Sequence, residues 1–172
     1  NEINAHPHSS EVVSVVHNGI IENSDELKKT IELKGAKFKS QTDTEVITLL
    51  LTEEIKNNTP MKAVQKVLKK LKGSFALGIL FKNFENIIIG ARRGSPLAVG
   101  YANGENYLGS DSYALKSMTN KISYLDDGDV CILTKNTVDF YNLEEKKIIK
   151  KIYILSDDKN LNEKGDYKNF MS

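Results

Sequence analysis

Glu11-Val12-Val13-Ser14-Val15-Val16-His17-Asn18-Gly19 is the stretch on which the fold of this chain turns. Its β-branched apolar side chains suit the pleated, half-buried surface of a strand. Asn18 and Gly19 tolerate positive φ, so the spacing predicts that the strand ends there in a tight turn. A helix is expected next. Asn23 can cap it, Glu26 stands three residues later in capping-box spacing, and Leu27 with Ile31 forms an apolar stripe that stops before Gly35.

Working outward, two further helices precede a change of period. Gln41-Thr42-Asp43-Thr44-Glu45 opens one that runs to about Lys56, with Val46, Ile47, Leu50 and Leu51 for its inner face. Thr59-Pro60 is an N-cap followed by proline at the first helical position. Ala63, Val64, Val67, Leu68 and Leu71 give that helix its apolar side, and Gly73 is expected to close it. After Gly73 come short strand-like runs at Ser74–Phe81, Asn86–Ala91, Leu97–Tyr101, Tyr107–Gly109, Ile122–Leu125, Val130–Leu133, Val138–Tyr141 and Ile148–Ile154. Three helices followed by these strands imply an α+β layered domain with largely antiparallel sheets, spanning residues 1–155. The polar, Lys/Asp/Asn-rich tail, 156–172, reads as a linker leaving it.

Bulk properties narrow the function. A chain of 172 residues with 40% hydrophobic and 27% charged residues has the profile of one globular domain. A net charge of +1 suggests neither nucleic acid nor an anionic membrane as partner. No apolar run approaches the roughly 20 residues that cross a bilayer. A single cysteine, Cys131, excludes an internal disulfide, and the start carries no signal-peptide pattern, so a cytoplasmic setting is expected. The opening Asn1-Glu2-Ile3-Asn4 has no initiator Met and lies close to candidate chemistry, which reads as a fragment.

Several groups could carry that chemistry. A turn at Asn18-Gly19 can aim a side-chain NH₂ and a backbone N–H at one point, as a tetrahedral oxyanion requires; alone, Asn-Gly is simply a hairpin turn. Asp43 could hold a substrate ammonium, while Thr42 or Asp43 equally serves as an N-cap. His6, His8 and His17 lack carboxylate or thiol neighbours at ligand spacing, which argues against zinc; His17 is expected at a strand end, hydrogen-bonded to backbone. Cys131 lies in a strand pattern and reads as a buried structural thiol. Arg92-Arg93-Gly94-Ser95-Pro96 reads equally as an anion grip or as a strand-ending turn with solvated arginines.

The order of these motifs resembles the class II glutamine amidotransferases. His6-Pro7-His8, Val15-Val16-His17-Asn18-Gly19-Ile20-Ile21-Glu22-Asn23, Thr42-Asp43-Thr44-Glu45 and Gly73-Ser74-Phe75-Ala76 carry the resemblance. Ala91-Arg92-Arg93-Gly94-Ser95-Pro96-Leu97, Ser110-Asp111-Ser112-Tyr113-Ala114-Leu115 and Asp127-Gly128-Asp129-Val130 resemble the glutamine–fructose-6-phosphate aminotransferase (isomerising), or glucosamine-6-phosphate synthase, branch. That resemblance implies an N-terminal-nucleophile hydrolase fold, a four-layer αββα sandwich with mostly antiparallel sheets. It implies a mechanism in which an N-terminal cysteine attacks the carboxamide of glutamine and ammonia passes to a sugar-isomerase domain. There fructose 6-phosphate becomes glucosamine 6-phosphate. No cofactor or metal is implied, and a homodimer is implied for the parent protein. By match to the family, Asn18 and Gly19 are the oxyanion-hole pair, Asp43 binds the α-ammonium of glutamine, and His6 and His17 support the pocket.

The family's Cys-Gly-Ile-Val-Gly opening and its Arg-Trp-Ala-Thr-His segment have no counterpart in these residues. The chain is therefore expected to be truncated at its N-terminal side, inactive alone, and left with exposed sheet edges and apolar surface. Two alternatives stand beside this expectation: a sister amidotransferase of the purine or asparagine pathways, and a non-catalytic binding module on the same scaffold.

Overall fold

In the computed structural model, residues 8–39, 42–156 and 169–171 are described. Their strands are β1 (His8–Ser9), β2 (Val13–Ile21), β3 (Gly73–Phe81), β4 (Ile88–Arg93), β5 (Ala98–Ala102), β6 (Glu105–Gly109), β7 (Lys121–Tyr124), β8 (Val130–Leu133), β9 (Val138–Tyr141), β10 (Lys147–Ile148), β11 (Ile152–Ile154) and β12 (Asn169–Met171). The helices are α1 (Ser24–Leu33), α2 (Asp43–Glu54), α3 (Pro60–Leu68) and the single turn α4 (Ser112–Leu115). One antiparallel sheet has the order β1-β2-β3-β4-β8-β9-β10 and a second has β12-β11-β7-β5-β6.

Side-chain period sorts these elements into layers. Along β2, Val13, Val15, His17 and Ile21 are buried, whereas Val16, Asn18 and Ile20 on the other face are exposed. The buried face joins Phe75, Leu77, Ile79, Ile89 and Ala91 of β3 and β4. Onto it pack Val46, Ile47, Leu50 and Leu51 of α2 and Ala63, Val64, Val67 and Leu68 of α3, the inner faces expected from helical spacing. Each Val, Leu, Ile or Phe side chain among them contributes roughly 1.5–3 kcal/mol on full burial. On the opposite face, Ala76, Cys131, Leu133 and Phe140 meet Leu97, Val99 and Leu125 between the two sheets. Beyond the second sheet, Leu115 of α4 covers Ala98, Ile122 and Leu155. The order is helix, sheet, sheet, helix, with the last layer one short turn among the described residues.

Close approach of the sheets rests on two glycines. Gly78 and Gly90 are register partners, and Leu108 of β6 lies over them. A Cβ on Gly90 would fall 2.8 Å from both Leu108 Cδ1 and Cys131 Sγ.

Several local expectations are corrected by tertiary contacts. β2 does not end at His17-Asn18-Gly19: it continues to Ile21, with Asn18 opposite Ala76 and Gly19 opposite Phe75. Gly19 has φ +107° inside that ladder, so its positive φ serves a close approach rather than a turn. Asn23 precedes α1 without capping it by its side chain. Its Nδ2 donates to Lys70 O and its Oδ1 accepts from Lys72 N, tying the α1 entry to the start of β3. Gly73 does not close α3 but opens β3 at φ +112°, where a Cβ would lie 2.3 Å from Ile20 O. The helix end is held instead by Arg93, which donates to Leu68 O and Leu71 O and lies over the Phe75 ring. Thr59 caps α3 through Lys62 N as expected.

Ile148–Ile154 is two strands, not one. β10 pairs with β9 in the first sheet and β11 with β7 in the second, so the chain crosses between sheets at residues 149–151. Lys150 anchors the crossing, with Nζ 2.6 Å from Asp129 Oδ2 and 2.5 Å from Asp126 Oδ2. Within the tail, β12 pairs antiparallel with β11.

Because Asp129 is buried, removing its cation leaves an uncompensated charge. Lys150→Met is expected to lower unfolding free energy by about 3–5 kcal/mol, measured by denaturant unfolding. A loss below about 1 kcal/mol, the surface-pair range, would contradict this account of the crossing.

Candidate active site

Four of the five sequence-predicted site residues lie on or against the second half of β2, His17 and Asn18 on opposite faces of it. His6, the fifth, lies outside the described residues. Asn18 and Gly19 are exposed, and Gly19 lines a cavity of about 570 Å³ with Ile20, Glu22, Gly73 and Ser74. A Cβ on Gly19 would fall 2.2 Å from Ser74 O and 2.9 Å from Ser95 Oγ. Both its left-handed φ and its lack of space thus exclude any other residue. Asn18 sits opposite Ala76, on the face turned toward the second sheet, while His17 lies on the helix face.

Helix α2 locks to this strand end through its first two residues. Asp43 Oδ2 accepts from Ile21 N at 2.9 Å. Thr44 Oγ1 shares a 3.2 Å hydrogen bond with His17 Nδ1. His17 is therefore held mid-strand by a side chain of α2, not at a strand end by backbone. Burial pushes its pKa below the ordinary imidazole value, against the pull of the Asp43 charge. The backbone of the α2 approach is fixed as well, since Glu45 Oε2 accepts from Lys39 N at 2.6 Å.

Of the sequence-predicted site residues Gly19 alone lines that cavity, and the other large cavities hold none of them. One of about 690 Å³ lies beside Val12, Ile55, Phe81 and Phe84, and one of about 600 Å³ beside Asn106 and Thr134. Cys131 is buried on β8, and burial pushes its thiol up to about 12, so it stays protonated and out of reach. Among the described residues there is no cluster of three metal-ligating side chains, and no helix is long and apolar enough to cross a membrane. Thr44, Ser74 and Ser95 are the site neighbours that sequence spacing did not single out as site residues. Thr44 stood within the Thr42–Glu45 motif, but the approach of Ser74 and Ser95 to Gly19 is purely tertiary.

A family model for the glutamine amidotransferase domain matches residues 4–117. The chain belongs to this family of glutamine amidotransferase domains. It is 51% identical over 170 residues to the glutamine–fructose-6-phosphate aminotransferase (isomerizing) of Zymomonas mobilis subsp. mobilis, and 47% identical over 171 residues to that of Brucella abortus. These matches cover 98% and 99% of this chain. The amidotransferase chain spans 28% of the length of either relative. Its fold is similar to the glutamine phosphoribosylpyrophosphate amidotransferase of B. subtilis, with TM-score 0.67 and 24% identity over 83% of this chain and 32% of that one. A class II glutamine aminotransferase domain protein of Silicibacter pomeroyi aligns with TM-score 0.66 and 16% identity, over 85% of this chain and 74% of that one. The layered antiparallel architecture is thus that of the N-terminal-nucleophile amidotransferases, as the sequence motifs implied.

The lowered pKa of His17 has a stability consequence. Its folded value lies below the unfolded one, so stabilisation by the neutral ring is complete above the unfolded value. It is lost as pH falls below about 6.5. His17→Asn should flatten this acid-side decline in the thermal midpoint. An equal decline in both proteins would show that another group is responsible.

Proposed function

We propose that these residues form the oxyanion and ammonium subsites of a glutaminase that supplies ammonia for making glucosamine 6-phosphate from fructose 6-phosphate. In this reading a thiol attacks the glutamine carboxamide, and the Asn18 side-chain NH₂ and the Gly19 N–H receive the charge that forms on its oxygen. Ammonia leaves, and water then releases glutamate from the thioester. Asp43 receives the α-ammonium; its Oδ2 is already fixed by Ile21 N, so the carboxylate is oriented before substrate arrives. His17 and His6 are support residues, with His17 bracing the strand against α2 through Thr44.

The observation that carries the reading is Gly19: exposed at a cavity, next after Asn18 in the chain, at φ +107°, with no room for a side chain. Such a residue lets a backbone amide meet a small molecule directly. The sugar branch rests on the 51% identity to the Zymomonas mobilis enzyme, whereas the phosphoribosylpyrophosphate enzyme supports the fold alone. Cys131 is unsuited to be the thiol, so the nucleophile belongs to a residue outside these 172.

Three measurements test this. In the full-length protein Asn18→Ala should lower kcat for glutamate release by about 10²–10³-fold, while Asp43→Asn should raise KM for glutamine more than it lowers kcat. An Asn18→Ala enzyme with unchanged kcat would remove the oxyanion assignment. Residues 1–172 expressed alone should release no glutamate from glutamine; turnover abolished by Cys131→Ser would refute that.

A further inference from the structure

We propose that Asp127 is a positioning residue for the Gly19 amide, acting through a chain of close contacts that runs Asp127, Gly94, Ser74, Gly19. The proposal rests on the oxyanion reading above and extends it to a motif that reading leaves unused.

The chain begins at the loop before β8. Asp127 Oδ1 accepts from Gly94 N at 2.8 Å and lies 3.4 Å from Arg92 Nε, and Gly128 N donates to Arg92 O at 2.8 Å. The turn after β4 is thereby clipped from outside by one carboxylate. From inside, Arg93 fastens it to the carbonyls of Leu68 and Leu71. Held from both sides, Gly94 presses on β3: a Cβ on it would lie 2.4 Å from Ser74 Oγ and 2.7 Å from Ser74 Cβ. Ser74 in turn lies close against β2, its carbonyl oxygen 2.2 Å from where a Cβ of Gly19 would stand. Ser95, the residue after Gly94, brings its Oγ to 2.9 Å from the same point. Ser74 is thus wedged between two glycines at left-handed φ, +81° at Gly94 and +107° at Gly19.

A wedge of this kind fixes direction more than it adds stability. The Asp127 side chain is 64% exposed, so its pairing with Arg92 contributes little to folding. Its hydrogen bond to Gly94 N decides where the turn sits, and through Ser74 how far the Gly19 peptide can move. An oxyanion donor displaced by about 1 Å can cost about a hundredfold in rate. The signature of a positioning role is therefore a loss in kcat with little change in thermal midpoint, which a merely structural residue would not give.

The test uses the full-length protein and glutamate release from glutamine. Asp127→Ala is expected to lower kcat about tenfold to a hundredfold, with KM and thermal midpoint near wild type. Asp127→Asn keeps an Oδ1 acceptor for Gly94 N and should recover most of the lost kcat. Unchanged kcat in Asp127→Ala, a loss expressed in KM alone, or an Asn variant as poor as the Ala variant would each overturn the proposal. Asn18→Ala, measured alongside, separates the two failures: if it loses kcat and Asp127→Ala does not, the relay alone is wrong; if it is unaffected, the oxyanion reading falls and the relay with it. Should Asp127→Ala fold poorly, Ser74→Ala removes the hydroxyl that meets Gly94 while keeping the main-chain ladder. A folded Ser74→Ala protein should again lose kcat, and one with full kcat would overturn the relay.

Discussion

The structure depends on the unbroken ladder between β2 and β3, which pairs every residue from Val13 with Phe81 to Ile21 with Gly73. A left-handed glycine would ordinarily interrupt such a ladder. Here Gly19 and Gly73 both take positive φ within it, and each meets a carbonyl oxygen of the facing strand where a side chain would otherwise go. The strands therefore remain in register while backbone atoms approach closer than side chains permit. The helix layer, the cavity and the docking of α2 are all referred to this pair of strands.

Layering converts that constraint into a site. Because side chains alternate, the same strand that sends Val13, Val15 and His17 into the helix-covered core presents Asn18 to the opposite side. Helix α2 buries Val46, Ile47, Leu50 and Leu51 together with Thr44, Glu45 and Thr48, and its first turn then falls beside the strand end. Asp43 and Thr44 reach β2 as a consequence of core packing, so the polar contacts of the site are made by elements whose positions are already determined by apolar burial.

Much of this architecture is legible in the sequence because it follows from local chemistry. Val130–Leu133 and Val138–Tyr141 match β8 and β9 residue for residue, and Thr59-Pro60 caps α3 as spacing predicts. Where the reading departs, a distant partner decides. Asn18-Gly19 has the composition of a turn, yet β3 is available to pair with it. Asn23 has the composition of a cap, yet Lys70 and Lys72 compete for its amide. Ile148–Ile154 is continuously strand-like, and only the existence of two separate sheets divides it. The site motifs were legible through their order along the chain. Ser74 and Ser95 were not, since nothing local to either residue announces the neighbouring strand that it touches.

Gly78 and Gly90 carry a consequence for the relation between the layers. Leu108 occupies the hollow they leave, with Cys131 beside it, so the two sheets interlock at one point rather than merely resting on each other. Such a detent permits one sliding offset between the sheets and resists others. Any enlargement of the hollow's floor would be transmitted as a wider gap between the layers, and β5, which continues from the turn at Ser95, would carry that displacement toward the strand end where Gly19 lies.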